Sequence, residues 1–401
     1  MPEVPPVSLP PAPGPLTIRR IGPDELLRVV IELGGSFMQT PNWAKAKPDW
    51  RPEFLGWFDS SGRLVGGASV LYRSIPRTKR SFAYAADGPA LPWGEVADDP
   101  DRWLAPLVAH TKKAGAFALR IGVPSPVRAW TPVRVKEAMA AGGLLAFTDL
   151  TPDRRDAAAE RLEAILGQRW TRIGWDTAAA VGQPRFICVL DLAGKDRDGV
   201  LKGMNQLWRR NIKKADKAEV EVVDAGLMGL DDFHELYVET AKRDGFVPRT
   251  KGYFAAIQQA FGQPGAPVKG RIYEARCEGD VLASALMVTV GTTCSYLYGG
   301  STSRNREARA SNALQWRAIQ DAIDDGCTAY DFRGFNTSLG ATSPLTGLLQ
   351  FKVGAGAEVI ELVGEYELVL NRFWHKAFET AMAARVKINE RRFGSHEPTD
   401  G

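Results

Sequence analysis

Hydrophobic and polar positions along the chain follow two periods, and their alternation predicts the order of the elements. In the first half, two alternating runs flank a turn at Gly62, a third strand follows, and a helical stripe then ends at Gly115. The second half repeats this order around Gly279 and Gly326. The repetition predicts two tandem α/β units, with chance similarity of two α/β segments as the alternative.

The stretch 296–356 contains the features around which the rest of the chain is arranged. Its pattern predicts a strand, a polar loop, an amphipathic helix capped by Ser311, a buried strand, and a loop that carries Phe351 and Lys352. Backbone N–H groups at the start of such a helix suit a phosphate or a carboxylate. The arrangement is typical of a group-transfer enzyme.

A second stretch is strongly basic. One helix is predicted over residues 201–217, with an apolar stripe on one side. Five cations lie off that stripe, namely Arg209, Arg210, Lys213, Lys214 and Lys217. Most such runs are solvated surface, but this density of cations fits an anionic partner equally well.

Composition narrows the class of protein. A net charge of +4 on 401 residues does not by itself require nucleic acid, and no apolar run is long enough to span a bilayer. The four cysteines are isolated and no Cys/His cluster occurs, so we expect buried thiols in a reducing compartment, without disulfides or a metal site. Residues 1–15 are predicted to be a disordered proline-rich leader and residues 393–401 a flexible tail. Since no signal-peptide pattern is present, we expect a cytoplasmic protein.

Several segments, taken in order, resemble one family of enzymes. The resemblance runs from residue 36 to residue 385 and is carried by SFMQTPNWAKAKPDW, YAADGPALPW, LWRRNIKKADKAEVEV, ETAKRDGFVPR, YLYGGSTSRNREARASNALQW, YDFRGFN and LLQFKVGAG. These segments are similar to those of the FemABX family, the aminoacyl-tRNA-dependent transferases that build peptidoglycan cross-bridges. Among its branches, the chain most resembles the actinobacterial FemX-type proteins.

The resemblance implies an α/β (α+β) fold with two tandem GNAT-like acyltransferase domains. Domain 1 is expected to span residues 16–170, to be completed by the C-terminal segment 366–392, and to bind the acceptor. Domain 2 is expected to span residues 171–365 and to hold the aminoacyl-tRNA side and the catalytic loop. Staphylococcal members carry a coiled-coil arm, and this chain has no heptad pattern that would form one.

The resemblance also implies an acceptor site. Lys47, in WAKAKPDW, matches a lysine that binds the diphosphate of a UDP-muramyl peptide, and Trp43 lies beside it as a second substrate-binding candidate. The alternatives are a helix-end lysine that interacts with the helix dipole and a tryptophan that only packs. An arginine of the basic helix is the implied second ligand of the diphosphate, and Arg209 and Arg210 both fit.

The reaction centre is implied by the FKVGAG segment. Lys352 and Phe351 match the pair that lies at the reaction centre, near the 3′ end of the donor RNA. Tyr296 and Tyr298, in YLYGG, match residues that line the pocket. A surface lysine beside a turn is the alternative for Lys352.

Three positions qualify the resemblance. Arg333 is a further substrate-binding candidate, although Asp331 shares its strand face and such pairs are more often structural. Pro92 occupies a place where family members usually carry an acid, so a general base there is absent. Thr40 replaces the usual serine and keeps its helix-capping ability.

The implied activity is non-ribosomal peptide-bond formation. An amino acid, expected to be glycine, is transferred from aminoacyl-tRNA to a side-chain amine of a peptidoglycan precursor stem peptide. The expected partners are aminoacyl-tRNA and either UDP-MurNAc-pentapeptide or lipid II, with tRNA as donor substrate and neither cofactor nor metal. We expect a monomer that contacts the inner face of the membrane as a peripheral protein.

Other functions remain as alternatives. A relative could couple an amino acid from tRNA to a small amine in antibiotic biosynthesis. An acyl-CoA-dependent GNAT N-acyltransferase is disfavoured because residues 306–310 lack the glycines that let a backbone approach a pyrophosphate. A non-catalytic RNA-binding module would not require the FKVGAG segment.

Overall fold

The computed structural model describes residues 14–141, 147–174, 182–263, 267–335 and 344–393. The first half of the chain contains strands β1 (Thr17–Arg20), β2 (Arg51–Phe58), β3 (Leu64–Ser74), β4 (Ser81–Ala85), β5 (Ala116–Trp130), β6 (Arg154–Arg155) and β7 (Thr171–Ile173). Its helices are α1 (Pro23–Glu32), α2 (Pro41–Lys45), α3 (Trp93–Asp98), α4 (Pro100–Lys113), α5 (Pro132–Ala141) and α6 (Ala157–Arg169).

The second half contains the remaining elements. Its strands are β8 (Phe186–Asp191), β9 (Glu221–Asp224), β10 (Val268–Cys277), β11 (Asp280–Val290), β12 (Thr293–Ser301), β13 (Ala329–Gly334) and β14 (Glu358–Val369). Its helices are α7 (Arg197–Gly203), α8 (Gln206–Lys217), α9 (Leu230–Asp244), α10 (Lys251–Phe261), α11 (Ala310–Asp324), α12 (Pro344–Gly354) and α13 (Arg372–Phe393).

Each half is built on the same strand pattern. In the first half β2, β3 and β4 form an antiparallel meander, and β5 then pairs with β4 in parallel after the α4 crossover. In the second half β10, β11 and β12 form the meander, and β13 pairs with β12 in parallel after α11. Both crossover helices end at a glycine with positive φ, Gly115 at 90° and Gly326 at 78°, a backbone conformation that favours glycine. The predicted mixed α/β fold with two tandem GNAT-like units is confirmed.

One continuous sheet joins the two halves. Its strand order is β1-β2-β3-β4-β5-β14-β8-β13-β12-β11-β10-β9, so β14 lies between the halves. Near its end β14 pairs with β5 through Tyr366 and Ile121, and near its start it pairs with β8 through Val359 and Cys188. Helix α13 then packs on the first half, where Phe378 stacks on Phe82 with ring centroids 5.6 Å apart. The numerical domain boundaries stay predictions.

Three local predictions were wrong. Ser311 does not cap the crossover helix, because α11 begins at Ala310 after Arg309 adopts a left-handed φ of 58°. The basic segment forms two helices, because the Asn205 side chain accepts a hydrogen bond from Trp208 N and starts α8 anew. Lys352 and its neighbour lie in helix α12 and not in a loop.

Among the described residues, no helix combines the length and the apolar character that crossing a bilayer requires. The four cysteines are buried and unpaired.

Candidate active site

A cleft opens where β12 and β13 separate. The two strands pair only from Thr293–Ala329 to Ser295–Asp331. Immediately beyond, β12 carries an irregularity, because Tyr296 and Tyr298 oppose consecutive residues of β11 and leave one residue extra. Such a bulge bends a strand and redirects its side chains. The strands diverge after it, and their separation leaves a cleft of about 490 Å³.

Six of the nine sequence-predicted site residues line this cleft, namely Trp43, Tyr296, Tyr298, Arg333, Phe351 and Lys352. They come from α2, β12, β13 and α12, so both halves of the chain contribute. Lys47, Arg209 and Arg210 are not among the lining residues. The cleft therefore unites the predicted reaction centre with the predicted pocket residues, and leaves the predicted diphosphate ligands outside its walls.

Lys352 is a buried lysine, with only 3% of its surface exposed. Its Nζ donates hydrogen bonds to the carbonyl oxygens of Arg333, at 3.1 Å, and of Gly334, at 2.6 Å. An ammonium has three N–H donors, so one remains beyond these two carbonyls. Burial lowers the pKa of Lys352, and the nearby Arg333 adds to that effect, while Cys188 and Asp331 oppose it. The cleft thus contains a fixed and poorly solvated cation.

Arg333 connects the floor of the cleft to the first half. Its guanidinium donates to the Asp87 carboxylate at 3.2 Å, to Asp331 at 3.3 Å and to Gln183 Oε1 at 2.8 Å. Its backbone has a φ of 59°, in the left-handed region, and its carbonyl oxygen accepts from Lys352. The structural pairing of Arg333 with Asp331 is observed, and the same side chain also forms part of the cleft wall.

Lys47 reaches the edge of the cleft through two tyrosines. Its Nζ donates to the Tyr253 hydroxyl at 3.0 Å, and that hydroxyl lies 3.0 Å from the hydroxyl of Tyr298, which lines the cleft. The same ammonium lies 4.2 Å from the centroid of the Trp43 ring. Lys47 therefore lies outside the cleft wall and is linked to it by two tyrosine hydroxyls.

The basic helix contacts the reaction centre through an aromatic side chain. Trp208 Nε1 donates to the carbonyl oxygen of Phe351 at 2.8 Å, and the two rings lie 4.7 Å apart. Arg209 donates to the carbonyl oxygens of Lys202, at 2.9 Å, and Met204, at 2.6 Å, so it satisfies the end of α7. Arg210 is exposed on α8. Of the two arginines, Arg210 has the side chain available to a ligand.

The two tyrosines that the sequence predicted for the cleft differ in their surroundings. Tyr298 packs edge-on against Phe254 with ring centroids 5.1 Å apart. Tyr296 folds over Gly299, where a side chain would collide with its ring, and burial raises the pKa of its hydroxyl to about 12. The Tyr296 phenol consequently stays protonated at neutral pH and can donate a hydrogen bond.

Sequence reasoning missed a buried carboxylate behind the cleft. Glu365, on β14, accepts a hydrogen bond from Tyr84, and burial raises its pKa to about 7 against the opposing charge of Arg120. Asp87 adds to that rise. The segment YAADGP contains Tyr84 and Asp87 and was the signal that could have indicated them, whereas nothing local marked Glu365.

The chemistry available in the cleft is electrostatic. One buried ammonium, two guanidiniums and three phenols provide hydrogen-bond donors, and Asp244 adds a carboxylate. None of the described lining residues is a histidine or a cysteine. In the described part of the chain, no cluster of three or more His, Cys, Asp or Glu side chains could hold a metal ion. Such a site can orient two reactants and stabilise negative charge on an oxygen atom. Fold and cleft together define a tandem GNAT-like protein with an open cleft in its second unit.

Comparison with known proteins identifies the family. The model of the FemAB family matches residues 31–269 and 266–383. The chain belongs to the FemAB family, as the resemblance of its segments predicted.

Individual relatives agree with this assignment. The chain is 29% identical over 308 residues to the UDP-N-acetylmuramoylpentapeptide-lysine N(6)-alanyltransferase of Weissella viridescens, covering 76% of this chain and 81% of that enzyme. It is 21% identical over 430 residues to the lipid II:glycine glycyltransferase of Staphylococcus aureus strain MRSA252, covering 89% of this chain and 94% of the relative. The crystal structure of FemX superposes with a TM-score of 0.73 at 19% identity, covering 90% of this chain and 99% of FemX, and supports the fold.

Proposed function

We propose that this protein transfers an amino acid from aminoacyl-tRNA to a side-chain amine of a peptidoglycan precursor stem peptide. The observation that carries the proposal is the position of Phe351 and Lys352 in the cleft wall, to which Lys47 is linked by the hydroxyls of Tyr253 and Tyr298. The names of the two relatives support it, since one is an alanyltransferase and the other a glycyltransferase for peptidoglycan precursors.

The reaction requires little covalent chemistry from the protein. The amine nitrogen of the acceptor attacks the ester carbonyl carbon of the charged tRNA, a C–N bond forms, and the ester C–O bond breaks. The proton lost by the amine ends on the released ribose hydroxyl, so the atoms balance without a covalent enzyme intermediate. What remains for the protein is to align the reactants and to stabilise the oxyanion that develops.

Lys352 fits the stabilising role. Its ammonium is fixed by two backbone carbonyls and is shielded from water, which strengthens its attraction to a developing negative charge. Lys47 fits the role of binding the acceptor at the edge of the cleft, because its ammonium can approach a diphosphate. The proposed donor amino acid is glycine, and the acceptor is UDP-MurNAc-pentapeptide or lipid II, the latter reached at the inner membrane face.

A reconstituted transfer assay tests the proposal. The purified protein is mixed with a pool of charged tRNAs and with either acceptor, and the product mass reports which amino acid was added. We expect product with at least one acceptor and none after ribonuclease treatment. Formation of an acylated product from acetyl-CoA without RNA would reject the proposal in favour of a conventional N-acyltransferase.

A further inference from the structure

Helix α8 presents one continuous row of cations. Arg210, Lys213, Lys214 and Lys217 follow i, i+3, i+4 and i+7 spacing, which places them on one face of the helix. All four are exposed, and in the part of the chain that the structure describes none of them forms an ion pair. Asp216 is the only acidic residue within α8, and it lies off this row. The row is called the α8 cationic row below.

The opposite face of α8 is covered by the protein. Trp208, Ile212 and Ala215 are buried in the core of the second half, and Asn211 bonds to Asn312 of α11. A basic helix that binds a bilayer surface needs an apolar face to insert between lipids. Because α8 has already buried that face, its free surface is suited to a solvated polyanion.

The α8 cationic row begins beside the reaction centre. Trp208 lies two positions before Arg210, on the buried face of the same turn. It donates a hydrogen bond to Phe351 of α12, the helix that carries Lys352, and the two rings are in tilted contact. At 1.5 Å per residue the row extends for about 10 Å away from that contact. This length can face about three successive phosphates of one nucleic acid strand. The position and length of the row therefore suit a polymer whose terminus enters the cleft.

We propose that the α8 cationic row binds the phosphate backbone of the donor RNA outside its reactive terminus. The inference rests on the proposed function, because it assumes an RNA donor. It assigns Lys213, Lys214 and Lys217 to binding of the donor RNA. The family resemblance had implied only that an arginine of this helix binds the acceptor diphosphate. Contacts of this kind add affinity without reading base sequence.

A charge-reversal variant tests the inference. The variant Lys213→Glu/Lys214→Glu/Lys217→Glu is compared with the wild type on charged tRNA and on a short aminoacyl oligonucleotide that contains only the last few nucleotides. The matched control reverses three exposed lysines of the first half, Lys79→Glu/Lys112→Glu/Lys113→Glu, and changes the net charge equally.

The α8 variant should raise the KM for charged tRNA roughly tenfold or more, and should reduce the dependence of log KM on log salt by about two to three units. Turnover of the short donor should stay at the wild-type level, which also shows that the variant is folded. If the reversal does not fold, the neutral variant Lys213→Gln/Lys214→Gln/Lys217→Gln gives the same comparison with a smaller change.

The outcomes separate this inference from the proposed function. A wild-type protein that uses no charged tRNA would reject the proposed function itself. A wild-type protein that uses tRNA, with an unchanged tRNA KM in the α8 variant, would reject only the α8 assignment. Loss of binding to phosphatidylglycerol-containing vesicles in the α8 variant, with tRNA KM unchanged, would instead assign the row to the membrane.

Discussion

Replacing Lys352 by methionine is the most direct test of the reaction centre. Methionine keeps the length of the side chain and removes the ammonium. The lost interaction is that of a fixed donor with a developing oxyanion, and removal of one such donor costs about 10²–10³ in kcat, equivalent to about 3–4 kcal/mol. The KM for the acceptor should change little, because the proposal assigns acceptor binding to Lys47 and not to Lys352.

The stability of the variant should remain close to that of the wild type, since two effects oppose each other. The carbonyl oxygens of Arg333 and Gly334 lose their shared donor, at about 1–3 kcal/mol each. The fold is at the same time relieved of a buried ammonium, whose desolvation costs several kcal/mol. Thermal unfolding of both proteins in the same buffer checks that a loss of turnover is not a loss of structure.

Single-turnover transfer from charged tRNA is the assay, measured over pH. Because burial lowers the pKa of Lys352, the ammonium loses its proton below the usual pH for lysine. The rate of the wild type should therefore fall on the alkaline side earlier than an ordinary lysine would allow, and this limb should be missing in Lys352→Met. A variant with nearly unchanged kcat and a strongly raised acceptor KM would refute the assignment and exchange the roles of Lys352 and Lys47.

Two further predictions concern other parts of the cleft. Lys47→Met should raise the acceptor KM by about tenfold, the value of one charged hydrogen bond, whereas Lys45→Met, at an exposed lysine two positions earlier, should not. Equal effects would show that only net charge matters. Burial raises the pKa of Glu365 to about 7, so the folded state keeps a proton that the unfolded state releases, and the free energy of unfolding should fall as pH rises from about 5 to about 8, by about 2–4 kcal/mol. Glu365→Gln should remove that decline in chemical denaturation at the two pH values, and an unchanged slope would contradict it.

The sequence was sufficient to predict features that depend on a few neighbouring residues, such as a helix cap or a tight turn. Thr40 and Pro41 predicted a helix start, and the Thr40 hydroxyl accepts the hydrogen bond of Trp43 N at 3.2 Å. The turn at Gly62 has a φ of 82°, which explains why glycine separates β2 from β3. The family resemblance added which aromatic and basic side chains to examine, and most of these line one cleft.

Long-range contacts decided what the sequence could not indicate. The break between α7 and α8 has a distant partner besides its local cap, because Asn205 N donates to the carbonyl oxygen of Gly354. The apolar stripe continues across that break and predicts one helix. Lys352 of α12 donates a hydrogen bond to the end of β13, a contact between segments that are separate in the sequence. Glu365 is buried because its strand, β14, lies between the two halves of the sheet, and the local hydrophobic pattern does not predict that position.

The two halves share one strand pattern, but the ends of their parallel strand pairs differ. In the second half β12 and β13 stop pairing after Ser295–Asp331. In the first half the contact continues past the end of β4, because Gly122 N donates to the Gly88 carbonyl oxygen at 3.0 Å, and any side chain at Gly122 would collide with the backbone of Asp87.

The corresponding end of the first half contributes to the cleft of the second half. Asp87 lies just beyond β4 and forms an ion pair with Arg333, which lines the cleft. The first unit therefore supports the wall of the cleft in the second unit. The Arg333 guanidinium thus pairs with one carboxylate from each half, Asp87 and Asp331. These ion pairs fix the geometry of this part of the cleft before a substrate binds. Such preorganisation is what a reaction driven by alignment and electrostatics requires.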